Sequence, residues 1–192
     1  MVNLAIPFLM ILLSTPTDIP TGSVGHGTGG FSVDQRGKFV FYKSAAWPEE
    51  VRFDRASEAL MDFFQIKGNE ATQIHAKRLE SKGCIPLKKH AGIGNHVAGE
   101  IRYTFVLEDN GTDFSYWFTD LSYQPYRNDR YGKRIKATAT PIPLEKQMSK
   151  INQPVWMQQK AYAYESIAEL ADQLAEQVRS ADASKVIHLN VY

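Results

Sequence analysis

The chain has 192 residues, 43% of them hydrophobic and 22% charged, with a net charge of +1. That length suits one domain with extensions, the composition is globular, and near-neutrality excludes a global pull toward nucleic acid or membrane. A single cysteine, Cys84, excludes an intramolecular disulfide and a cysteine-based zinc site.

The chain opens with "LAIPFLMILLS", residues 4–14. This apolar run is too short to span a bilayer, which takes about 20 residues. It has the length of the apolar region of an export signal, although no Lys or Arg precedes it. We read residues 1–17 as a signal peptide. The expected location is periplasmic or otherwise extracytoplasmic, with no transmembrane span in the mature chain. Residues 18–32 form a Gly-rich linker. The "GHGTGG" within it follows no convincing strand and opens no helix, so it reads as linker rather than as a phosphate loop.

"KFVFYK", 38–43, alternates as a strand. Residues 50–66 then carry Phe53, Ala56, Leu60 and Phe63 at helical spacing, with Ala59 and Phe64 widening the stripe. Four strands follow, at 71–80, 83–90, 96–108 and 112–123. Between the last two lies Asn110-Gly111, a strong hairpin signal. A two-residue turn there sets Leu107 opposite Phe114, Phe105 opposite Tyr116 and Tyr103 opposite Phe118. One face is then continuously apolar and should enforce the register. The other face pairs Val106 with Ser115, Thr104 with Trp117 and Arg102 with Thr119. On that face Trp117 can take a ligand, meet a partner chain or pack under the segment that follows, and packing is the favoured reading.

Residues 124–162 hold four prolines and read as irregular. A second helix is expected at 164–180, with Tyr164, Ile167, Leu170, Ala171, Leu174 and Val178 in one stripe. The tail "VIHLNVY" alternates as a short edge strand. The organisation is therefore sheet and first helix over 33–123, and an extension with the second packing helix and tail over 124–192.

Strand, helix, four strands, helix, with both helices on one face of an antiparallel sheet, is an α+β layout. It matches a single repeat of the TATA-binding-protein fold. In "VDQRGKFVFYK", "RASEALMDFF" and above all "IRYTFVLEDNGTDFSYWFTDLSY", the chain resembles domain-of-unknown-function family 4468, whose bacterial members often carry an export signal. "TPIPLEK" and "YESIAELADQL" resemble members with a C-terminal extension. The resemblance covers about 33–180 and implies no activity and no site residue, since a fold does not carry a function with it.

The residues themselves carry no nucleophile elbow, Walker loop or zinc-helix motif, and no catalytic residue, cofactor or metal is expected. His90 and His96 bracket "AGIGN" without a third ligand. Cys84 has Lys82, Lys88 and Lys89 nearby, which can lower a thiol pKa, but a single cysteine beside a loop reads as inert. The segment 123–136, "YQPYRNDRYGKRIK", interleaves aromatic and basic residues with one acid, Asp129. Basic residues among aromatics grip phosphates, sugars or nucleic acid. With Arg102 and Trp117 on the open sheet face, Tyr123, Tyr126, Arg127, Arg130 and Lys133 complete the expected ligand site. The function expected is a non-catalytic exported module that binds a ligand, glycan or partner protein. A structural component of a bacterial envelope assembly is the alternative. The partner is then a protein, a glycan or an anionic ligand, and nucleic acid is not expected.

Overall fold

The computed structural model describes residues 30–90 and 95–181, with the backbone alone at 70–75, 88–90 and 95–96. The signal-like run, the linker up to residue 29 and the tail "VIHLNVY" lie outside the described residues. So do the side chains of all five histidines.

The elements are β1 (Ser32–Val33), β2 (Phe39–Ala46), α1 (Phe53–Ile66), β3 (Glu70–His75), β4 (Arg78–His90), β5 (Asn95–Asp109), β6 (Asp113–Asn128), β7 (Arg134–Lys136), β8 (Ile142–Pro143) and α2 (Gln153–Ser180). The antiparallel sheet runs β1-β2-β6-β5-β4-β3, and β7 and β8 add to the free edge of β6 beyond β2. Both helices cover one face. Their stripes meet the sheet at Phe105, which contacts Phe64 of α1 at 5.3 Å and Phe118 of β6 at 5.2 Å between ring centroids. From α2, Tyr164 meets Phe41 at 5.6 Å, and Leu174 and Val178 pack with Leu60 and Leu107. Each such side chain, once fully buried, contributes about 1.5–3 kcal/mol.

The apolar face is the expected one: Phe105, Leu107, Phe114, Tyr116 and Phe118 are all buried. The register differs. Phe105 faces Phe118, Leu107 faces Tyr116 and Asp109 faces Phe114. On the other face Val106 faces Trp117, and Thr104 faces Thr119. The pairing has moved by two residues, which keeps every side chain on its face because strands repeat every two. The cause is the turn. The Asn110 N–H donates to the Asp113 carbonyl at 2.9 Å, so the two residues at the turn are Gly111-Thr112, one position on from Asn110-Gly111. The Asp109 carboxylate stiffens it, accepting from the Gly111 N–H and from the Trp47 indole N–H, both at 2.9 Å.

The first β-turn of the meander also moves. It sits at Ala76-Lys77 between β3 and β4, not at residues 81–82 between the expected strands, and Gly83 lies inside β4. A Cβ on Gly83 would stand 2.5 Å from the Tyr103 hydroxyl oxygen, so glycine here admits the ring of its cross-strand partner rather than making a turn.

Two further expectations need correction. Residues 124–162 are not irregular throughout: β6 runs on to Asn128, pairs with β7 and β8, and α2 starts at Gln153 with a proline in its first turn. The extra helical turns bury Trp156, Lys160 and Ala163. The Lys160 ammonium stands 4.9 Å from the Phe39 ring centre, and burial lowers its pKa against the opposing pull of Glu145. A lysine in a core position is what broke the apolar stripe in the sequence. The linker also ends early, because Phe31 is buried and stacks on Phe39 at 5.7 Å.

Candidate functional site

β6 carries one residue too many for its partner. Thr104 faces Thr119, yet Arg102 faces Ser122. The extra residue is at Asp120, an exposed aspartate with φ 51°, in the left-handed region that non-glycine residues rarely enter. Before this bulge the even-numbered residues of β6 face the helices. After it the odd-numbered ones do. Tyr123 therefore points into the core, 5% exposed, with its ring 6.2 Å from Trp156 and its hydroxyl donating to the Ala98 carbonyl at 3.1 Å. It is not part of the open face, contrary to expectation. Unbroken alternation from Trp117 put it there, and the bulge breaks the alternation.

Three separate regions hold the other expected residues. The first is the centre of the open face. Trp117 is half-buried and does not lie under residues 124–162. It lies beside Tyr42, with rings 6.4 Å apart and 28° from parallel, and the Arg78 guanidinium is 5.5 Å from its ring centre. The Tyr42 hydroxyl shares a 2.8 Å hydrogen bond with Ser115, whose hydroxyl also accepts from the Asn110 amide at 2.9 Å. Two flat rings, a cation and bonded hydroxyls line a face without a helix.

The second is a corner built around Glu100 on β5. Arg102 pairs with its carboxylate at 2.7 Å, and the Tyr126 hydroxyl donates to it at 2.6 Å. Burial raises the Glu100 pKa, but the bonds from Tyr126 and Arg102 outweigh it and hold the carboxyl below its ordinary value. The same bond pushes Tyr126 up to about 12. Cys84 sits beside this group, and its thiol is raised by burial and by the Glu100 carboxylate, with Arg102 opposing. Any lowering by the nearby lysines is thus outweighed, first by burial and then by the Glu100 carboxylate. A shallow depression of about 380 Å³ opens here between Lys82, Cys84, Arg102, Thr104 and Asp120. Beyond it Thr138 crosses Gln124, accepting from its amide at 3.0 Å, and closes that end of the open face.

The third is the β6–β7 hairpin, with Arg127, Arg130 and Lys133. Ten residues of strand separate Trp117 from Arg127, roughly 30 Å. The expected single site is therefore not assembled: Arg102 joins Tyr126 through Glu100, while Trp117 and the basic hairpin stand apart. Sequence reasoning missed Tyr42, Glu100 and Asp120, and it counted Arg78 only among the basic residues of the first hairpin, with Lys77, Lys82, Lys88 and Lys89. Tyr42 had a signal, since it alternates with Phe41 on a recognised strand. Asp120 had none that distinguishes it from any polar strand residue. Among the described residues no three His, Cys, Asp or Glu side chains converge in a way that could hold a metal ion.

No family model matches the chain, and no curated protein matches it. Solved structures do. A TATA-binding-protein-like (TBP-like) protein from Parabacteroides distasonis superposes with a TM-score of 0.53, over 76% of this chain and 95% of that one, at 10% identity. A domain-of-unknown-function family 4468 protein from Bacteroides ovatus gives a TM-score of 0.49, over 75% and 85%, at 13% identity. The chain thus has the α+β, TBP-like fold of the Parabacteroides distasonis protein, with an antiparallel sheet and two helices packed together.

Proposed function

We propose that this chain is a non-catalytic, extracytoplasmic contact module whose open sheet face binds a glycan. The observation that supports this is the Tyr42–Trp117–Arg78 arrangement on the face opposite the helices. A half-exposed indole offers a π-face to the C–H side of a sugar ring, while hydroxyl and guanidinium groups around it supply hydrogen bonds. The apolar run at residues 4–14 and the Gly-rich residues after it support the export part of the reading.

The test is a glycan panel read with the native chain, Trp117→Ala and Tyr42→Ala. Binding by the native chain that both variants lose while they stay folded, with melting lowered by no more than several degrees, supports the reading. Panel-wide silence from the native chain, or binding that both variants retain, removes it. N-terminal sequencing of the native protein decides export, and an intact Met1 in the cytosolic fraction ends that part.

A second reading, a structural part of an envelope assembly, has its own support. Ile151 is 90% exposed and Val155 is 56% exposed, and Val155 shares a helix face with the partly exposed Tyr162 seven residues on. Crosslinking in cells that captures a neighbour through this face, and not through Trp117, favours it.

A further inference from the structure

The β6–β7 hairpin has a design of its own, independent of the open-face reading. Arg127, Arg130, Lys133, Arg134 and Lys136 are all exposed, and none makes an ion pair among the described residues. The one acid, Asp129, is used internally: its carboxylate accepts the backbone N–H groups of Tyr131 and Lys133, both at 2.8 Å. Gly132, at φ 77°, completes the turn, and its N–H donates to the Asp129 carbonyl at 3.1 Å. This tied turn presents Tyr131 at its apex, 78% exposed, with the Arg130 guanidinium 4.7 Å from the ring centre. A large ring is thus held out in solvent with the Arg130 cation against it.

We propose that this hairpin is an arm that docks on an anionic lipid surface, with Tyr131 entering the headgroup layer and the cations meeting lipid phosphates. Tyrosine suits that layer because its ring is apolar and its hydroxyl is wet. Residues 123–136 hold five Lys or Arg and one Asp, a local +4 against +1 for the whole chain, so the arm is strongly basic while the remainder of the chain is net negative. Tyr131 protrudes at the tip, which suits a planar surface better than a strand lying along the ribbon. A turn fixed by its own hydrogen bonds has little ordering left to lose on docking.

Each Lys or Arg near an anionic bilayer strengthens binding about fivefold. The test is co-sedimentation of the full chain with phosphatidylcholine vesicles, with and without one third phosphatidylglycerol. The apolar residues 4–14 can bind any bilayer, so the readout is the difference between the two vesicle types. Native chain should prefer the anionic vesicles, more weakly as salt rises. Arg130→Glu/Lys133→Glu should lose at least about 30-fold of that preference, from the two cations alone. Arg134→Glu/Lys136→Glu should behave alike, and Tyr131→Ala should lose about threefold to tenfold. These side chains are exposed, so circular dichroism and melting should not change. No anionic preference, or a preference that both charge variants keep, overturns the proposal. So does equal capture by soluble polyphosphate that Tyr131→Ala leaves untouched, which would assign the arm to a soluble polyanion.

Discussion

Residues 113–119 and 121–128 belong to one strand, yet they obey opposite rules. In the first stretch Phe114, Tyr116 and Phe118 turn inward. In the second, Leu121 and Tyr123 do. The only change is Asp120, one residue without an opposite number on β5. Alternation is therefore a property of an unbroken ladder, and a single bulge inverts everything downstream of it. The inversion has a structural use. It brings Tyr123 under Trp156 at the start of α2, which extends the core beyond the first hairpin. It also brings Tyr126 to the open side, where it meets Glu100.

The largest test of this comparison is a pair of truncations. Phe118→Ala, inward by even parity, should cost about 3–5 kcal/mol in denaturant unfolding. Tyr123→Ala, inward by odd parity, should cost about as much. If β6 alternated without a break, Tyr123 would face solvent and its loss would fall within about 0.5 kcal/mol. A near-neutral Tyr123→Ala would thus remove the inverted half of the strand.

The first half was open to sequence reasoning for a physical reason. From Leu107 to Phe118 the two runs alternate, and a core must collect the apolar set on one side. A two-residue error in register left that face intact, because burial selects parity and not the pairing itself. The second half was closed to it. Asp120 is a polar residue among Ser and Thr, and its left-handed backbone leaves no mark in composition. Asp and Asn tolerate that region better than other side chains, which permits the bulge without announcing it. Lys160 hid the start of α2 in a similar way, since a charged residue in a core stripe argues against the stripe. Of the expected site residues, Arg102, Trp117 and Tyr126 are on the open side and Tyr123 is not. The hairpin cations stand at a distance set by strand length, which residue types do not reveal.

Trp117→Ala addresses the open face, with a smaller expected loss of about 1–2 kcal/mol. It removes the stack on Tyr42, worth about 0.5–1.5 kcal/mol. It also removes the contact with Arg78, worth about 0.5–1 kcal/mol. A loss as large as that of Phe118→Ala would place the indole in a second core and count against an exposed contact face.

Asp120→Gly should go the other way, stabilising by about 1 kcal/mol, because glycine enters the left-handed region without the penalty that a Cβ brings. Asp120→Val should destabilise by about 1–2 kcal/mol, since a β-branched residue fits that region worst. If Gly and Val are equivalent in thermal melts, the bulge is not held by backbone conformation at Asp120.

The subtlest prediction concerns the Glu100 corner, which exists only because the bulge turned Tyr126 outward. The Tyr126 phenol is held up to about 12 from an ordinary 10.0, first by its bond to the Glu100 carboxylate and then by burial. A raised phenol pKa means that the protonated, hydrogen-bonded form is favoured in the folded chain. Its contribution to stability is therefore complete below pH 10.0 and is lost as pH rises toward about 12. Glu100 gives the opposite limb. Its carboxyl lies below an ordinary 4.5, so its contribution is present above that value and fades as pH falls through the lower, folded one. Glu100→Gln removes both limbs at once. Tyrosine ring NMR should then show Tyr126 titrating nearer 10.0, while Tyr123, raised by burial alone, stays where it is. Cys84 supplies an independent readout. Its thiol is raised by burial and then by Glu100, so alkylation at fixed pH should quicken in Glu100→Gln as the charge is removed. If Tyr126 already titrates at its ordinary value in the native chain, the hydroxyl does not reach Glu100. The outward turn of β6 beyond Asp120 then loses its clearest solution signature.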